Sequence, residues 1–102
     1  MSGVRQSLIS AIHERRVVHL RYEGSPSPRI VHPHVLFRTS TNTECVDAYQ
    51  IAGPTHGGLL PGWRRFDLDK IISLATVEEA FAVAPGYHPE ATKYRHGLVA
   101  RV

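Results

Sequence analysis

Two glycine- and proline-rich runs, EGSPSP at 23–28 and GPTHGGLLPG at 53–62, cut this chain into pieces too short for long helices. Proline lacks the amide a ladder or helix needs, and glycine supplies turn dihedrals, so both runs read as loops. The second, with glycines at both ends and in the middle, is long enough to be mobile.

What lies between the loops alternates. Val18, Leu20 and Tyr22 fall on one face of the run Val17–Tyr22, with Val17, His19 and Arg21 on the other. Arg29–Arg38 (RIVHPHVLFR) is rich in β-branched and aromatic residues, and Pro33 inside it predicts a bend or an edge position. Ser40–Thr43 makes a turn, Glu44–Ala52 a third strand, and Trp63–Phe66 and Ile71–Thr76 two more, joined through Asp67–Lys70. Val77–Ala82 then leads the chain out. Only Gly3–Arg15 keeps helical spacing, with Val4, Leu8, Ala11 and Ile12 on one side and Ser2 placed to cap. The expected fold is mainly β with an N-terminal helix, a small five-stranded, strongly bent barrel. Residues 1–84 form that domain. Residues 85–102 form a C-terminal tail with a helical turn at Pro89–Tyr94, where Pro89 suits the first helical position.

A length of 102 residues accommodates one modest core. The apolar fraction of 42% and charged fraction of 21% are those of a folding globular chain. No apolar run approaches the ~20 residues that cross a bilayer, and the start MSGVRQSLIS lacks the apolar stretch of a leader, so the expected compartment is the cytoplasm, with no membrane partner. Cys45, the single cysteine, excludes an internal disulfide. A net charge of +3, from 12 basic and 9 acidic residues, suits a polyanionic partner without demanding one.

The order of Ala11, Ile12 and Arg15–Val18, then Tyr22, then Arg29 followed by Pro33-His34, then Val46 with Ala48-Tyr49, then Arg64-Arg65-Phe66-Asp67-Leu68-Asp69-Lys70-Ile71 resembles the WYL domain of bacterial regulators. The likeness spans roughly 7–81. The family's Trp-Tyr-Leu falls on Glu44-Cys45-Val46, so only the aliphatic position is kept, and Lys70 stands where the family usually has arginine, a point charge in place of a planar fork. The resemblance implies an Sm-like or SH3-like β-barrel whose basic pocket senses nucleic acid or a nucleotide-like effector in transcriptional or defence regulation. The family's barrel usually follows a helix-turn-helix. One helix of about a dozen residues cannot supply that motif, so duplex reading in the major groove is not expected.

Carried over by position, Arg29, His34, Tyr49 and Arg64 fall where that pocket gathers polar contacts, and Lys70 takes the second arginine position. Convergent cations suit a phosphate because charge-assisted contacts are strong and directional. Alternation sends Arg64 and Arg65 to opposite faces, so one of them enters a given pocket; Arg64 is preferred, with Arg65 the alternative. Tyr49 either stacks a base or caps the core with its hydroxyl at the rim, and Trp63 either stacks or closes the barrel end.

Other chemistries find less support. His32 and His34 share a strand face, but the remaining metal-ligand candidates, His13, His19, Cys45, His56, His88 and His96, are scattered without zinc-site spacing. Cys45 has no base beside it and reads as a small buried hydrophobe. The carboxylate pairs Asp67/Asp69 and Glu78/Glu79 lack a catalytic setting, the first being flanked by Arg65 and Lys70, and no phosphate-cradling glycine motif occurs. No cofactor, metal or catalytic residue is expected. The expected function is a ligand-sensing module for single-stranded nucleic acid or a nucleotide. The alternative is an assembly module that forms a homodimer or joins a separate DNA-binding protein.

Overall fold

A computed structural model describes residues 3–55 and 57–102, so the proposed Ser2 cap and His56 lie outside the described residues. Helix α1 (Gly3–Glu14) is followed by β1 (Arg16–Tyr22), β2 (Arg29–Arg38), β3 (Glu44–Ala52), β4 (Gly62–Asp67), a 3₁₀ turn (Leu68–Lys70), β5 (Ile71–Ala80), a second 3₁₀ turn (Thr92–Tyr94) and β6 (Leu98–Arg101). The fold is mainly β with one N-terminal helix, as the spacing predicts. The helix stops one residue early because Arg15 turns into the left-handed region at φ 54°.

The strands form one six-stranded antiparallel sheet, ordered β4-β3-β2-β1-β5, with β6 also on β2. The sheet is not closed: β4 and β5 stand at its two ends. Strand β2 runs beside β3 along its length and divides its other edge, pairing β1 through Arg29–Val31 and β6 through Val35–Phe37. The changeover coincides with a register shift between Pro33 and Val35. A proline has no amide to give a ladder, so a bulge is where it fits, and the bend expected at Pro33 is there.

Leu8, Ala11 and Ile12 of α1 pack with Val18, Leu20, Val31, Leu36, Val46, Ala48, Phe66, Ile71 and Ala100 in the main core. A smaller cluster of Val35, Phe37, Cys45 and Tyr94, edged by Tyr87 and Ala91, buries the other face of β2 and β3. With both faces covered, β2 shows no simple alternation: Val31 and the whole run Pro33–Phe37 are buried.

Several expectations are corrected. The described residues form six strands, and residues 85–102, expected as a tail, pack back onto the sheet. Ala100 lies in the core, the Val102 amide donates to the His34 carbonyl at 3.0 Å, and Tyr94 is buried. The helical turn in this segment shrinks to Thr92–Tyr94 and excludes Pro89. Strand β5 also extends past Thr76 to Ala80, because β1 pairs it through to Arg16↔Ala80.

Candidate functional site

Two cavities meet at β4. The smaller, about 260 Å³, is lined by Tyr22, Arg29, Gly58, Arg64, Arg65 and Phe66, without an acidic side chain. Arg29 opens β2 and is only 4% exposed. Its guanidinium donates to Ser25 Oγ from Nε (3.1 Å) and Nη2 (2.9 Å), and from Nη1 to Gln50 Oε1 at 3.4 Å. It lies 5.5 Å from the Tyr22 ring centre and 5.4 Å from that of Phe66. No carboxylate pairs with it among the described residues. Burial lowers its pKa, Tyr22 opposes the shift and the charge of Arg64 adds to it; a guanidinium nevertheless stays protonated.

Arg64 is fixed by the glycine-rich loop. Its Nη1 donates to the Trp63 carbonyl at 2.8 Å and its Nη2 to the Leu59 carbonyl at 3.0 Å. A side chain on Gly58 would run into this guanidinium, and a Cβ on Gly62 would sit 2.8 Å from Nη1. These glycines therefore give Arg64 its resting place. Gln50, fully buried, gives its Nε2 to the Ala52 and Pro54 carbonyls (3.1 and 2.9 Å) while accepting from Arg29, tying the loop's start to the buried cation.

The larger cavity, about 590 Å³, lies between β4 and residues 86–94 and is lined by Asp47, Trp63, Arg64, Arg65, Gly86, Tyr87, His88, Ala91, Lys93 and Tyr94. Asp47, 5% exposed, accepts from Arg65 Nε (3.0 Å), Lys93 Nζ (3.0 Å) and the Tyr94 hydroxyl (2.7 Å). Partial burial works against the Arg65 cation, but the bond to Asp47 and its charge carry the pKa upward. Burial and the bond to Asp47 push the Tyr94 hydroxyl well above its ordinary value. Trp63 gives its indole N–H to the Pro85 carbonyl at 2.8 Å and lies near-parallel to Tyr87, ring centres 6.3 Å apart at 25°.

Of the six residues singled out, Arg29, Arg64 and Arg65 come together at the smaller cavity. Arg64 and Arg65 line both cavities, where alternation predicted at most one of them in a given pocket. Across from them on β3 stand Ala48 and Asp47, so they leave on opposite faces of β4, an end strand, and still both reach each cavity. His34, Tyr49 and Lys70 line neither cavity. His34 is fully buried against Trp63, Phe81 and Tyr87. Its Nδ1 donates to the His32 carbonyl (2.7 Å) and its Nε2 accepts from the Ala84 amide (3.0 Å), which leaves neither nitrogen for a ligand or a metal. Tyr49 is paired across the sheet with Trp63, rings 5.5 Å apart. Lys70 ends the 3₁₀ turn, exposed, with Nζ 3.9 Å from Asp67.

Glu44, which stands at the family's tryptophan position, bonds Arg5 of α1 and Arg38 of β2 at 3.1 and 3.3 Å, a structural role. Cys45 is buried with its thiol 3.3 Å from Asp67; burial, then that bond and charge, push its pKa up to about 11. The contributions of Gln50, Tyr87 and Lys93 were missed. Only the spacing of the glycines around the loop carried a readable signal for the seat of Arg64.

No helix among the described residues is long and apolar enough to cross a membrane. Comparison with family models, with curated proteins and with solved structures finds no match.

Proposed function

We propose that this protein is a WYL-like sensing module, acting in the cytoplasm, that holds a phosphate of single-stranded nucleic acid or of a nucleotide between Arg29 and Arg64. One observation carries the reading: a guanidinium 4% exposed, with no carboxylate partner among the described residues, faces a cavity that contains a second arginine and no acid. Burying a charge without a counter-charge is costly, and a bound phosphate offsets that cost while accepting the planar forks of both arginines. The helix before the sheet, the bend in β2 and the 3₁₀ turn between β4 and β5 support an Sm-like barrel as its frame.

The test is titration of a fluorescent short single-stranded DNA, and separately an RNA, into wild type and Arg64→Gln at two salt concentrations. Arg29→Gln is added where melting shows that it folds. Losing one charge-assisted contact, worth ~1.5–3 kcal/mol, lowers affinity roughly 10- to 150-fold. Binding should weaken steeply with salt. No binding of either strand by the wild type at low salt would remove the proposal.

The open sheet favours a second reading, an assembly module. β5 is an end strand, paired with β1 along one edge and with no strand on the other among the described residues, and Ile72 on it is 64% exposed. Light scattering that shows a strict monomer at high concentration would exclude the homodimer form of this reading.

A further inference from the structure

We infer that the 590 Å³ cleft between β4 and residues 86–94 is the base subsite of the same ligand, so that the module recognises a nucleotide unit and not a phosphate alone. The inference rests on the proposed phosphate site and adds to it a second cavity, one wall of which comes from residues 86–94, outside the stretch resembling the WYL domain.

Three observations carry it. First, the walls are aromatic: Trp63, Tyr87 and Tyr94 line the cleft, and the near-parallel pair of Trp63 and Tyr87 offers flat π surface of the kind on which bases stack. Second, the Tyr87 hydroxyl is buried and has no hydrogen-bond partner among the described residues, although its side chain lines the cleft. Buried polar atoms are nearly always partnered, and the edge of a base in the cleft supplies one. Third, the cleft and the phosphate cavity share Arg64 and Arg65. One ligand that passes over the rim of β4 therefore meets a phosphate site on one side and a stacking site on the other.

The charge balance fits a neutral ring better than a second anion. Asp47 takes up Arg65 and Lys93, at 3.0 Å each, which leaves Arg64, shared with the phosphate cavity and held there by carbonyls, as the cation of the cleft without a carboxylate among the described residues. A phosphate is drawn to the smaller cavity and a base to the larger.

Trp63 is the only tryptophan, so its fluorescence reports the cleft directly. Adenosine monophosphate, ribose 5-phosphate and a five-nucleotide single-stranded DNA are titrated into wild type, Tyr87→Leu, Tyr87→Phe and Arg64→Gln. The expected result is that the nucleotide shifts the Trp63 emission and binds roughly 5- to 150-fold more tightly than ribose 5-phosphate, the range of one stacked base. Tyr87→Leu should erase most of that difference without changing the affinity for ribose 5-phosphate, and Arg64→Gln should weaken both. Tyr87→Phe keeps the ring and removes only a hydroxyl with no partner, so it folds as wild type and should lose part of the base advantage. A strand that binds at least about tenfold more tightly than the nucleotide identifies polynucleotide as the ligand, and equal affinity identifies the free nucleotide. Equal binding of nucleotide and ribose 5-phosphate, with Trp63 emission unchanged, overturns the base subsite and leaves the phosphate site standing. Binding of none of the three overturns the phosphate site and the base subsite with it.

Discussion

Gly53 stands where the end of β3 passes the start of β2, at φ +100°, and a Cβ there would lie 2.6 Å from the Pro28 carbonyl oxygen and 2.8 Å from the Arg29 Cα. Both obstacles are backbone, and the dihedral itself is unfavourable for any side chain. Gly53→Ala should therefore cost about 1–3 kcal/mol, read as a lowered denaturation midpoint, and should displace Arg29. Gly58 differs in kind. Its Cβ would meet only the tip of Arg64, a flexible end that can swing away. Gly58→Ala should leave the midpoint within about 0.5 kcal/mol of wild type while weakening oligonucleotide binding, because Arg64 loses its seat. Equal binding by this variant would show that the seat is unimportant. Cys45, with its pKa pushed up to about 11, should react with a thiol reagent at neutral pH only as fast as the protein unfolds.

At the scale of elements, β2 decides the most. Its bulge turns His34 inward, and that ring bonds the strand to the segment 81–84: Nδ1–H is donated to His32, and the bare Nε2 accepts from Ala84. A proton on Nε2 would set two donors face to face. Burial lowers the His34 pKa below the ordinary 6.5, the bond to the His32 carbonyl opposes this, and the charges of His32 and Arg15 add to it; burial lowers His32 as well. An unfolded chain takes up these protons near pH 6.5 while the folded chain resists, so the stabilisation is fully present above that pH and falls away as pH drops toward the folded values. The melting temperature should fall between pH 7.5 and pH 5, and His34→Gln should flatten the slope. An unchanged slope in that variant would assign the effect elsewhere. The bend at Pro33 was legible, since proline leaves few places for itself in a ladder. The fate of His34 was not, because a bulge flips every side chain beyond it and its exact residue is set by partner strands. Arg29 and Arg64, which the resemblance singled out, line one cavity. Gln50 and Tyr87 were not legible: their roles arise from contacts across 21 and more residues of chain that carry no local pattern.

For the molecule as a whole, the last eighteen residues matter more than their composition suggests. The segment contributes Ala100 to the core, two of the three donors on Asp47, one wall of the larger cleft and a strand of only four residues. A strand that short, LVAR, carries too little alternation to be read without its partner. Truncation after Gly97 should abolish cooperative melting or lower the midpoint by several degrees, since it opens the β2 edge at Val35–Phe37 and uncovers Leu36. Circular dichroism of the shortened chain tests this, and an unchanged melt would mean that β6 is ornamental.

The divided edge of β2 also has a consequence for biosynthesis. The edge that Val35, Leu36 and Phe37 share with β6 stays bare on the ribosome until residues 98–101 have been made, some sixty residues after β2 itself. Through that interval the nascent protein presents an apolar, hydrogen-bonding ribbon to its neighbours on the polysome, so its yield should depend on ribosome-associated chaperones and on crowding of ribosomes.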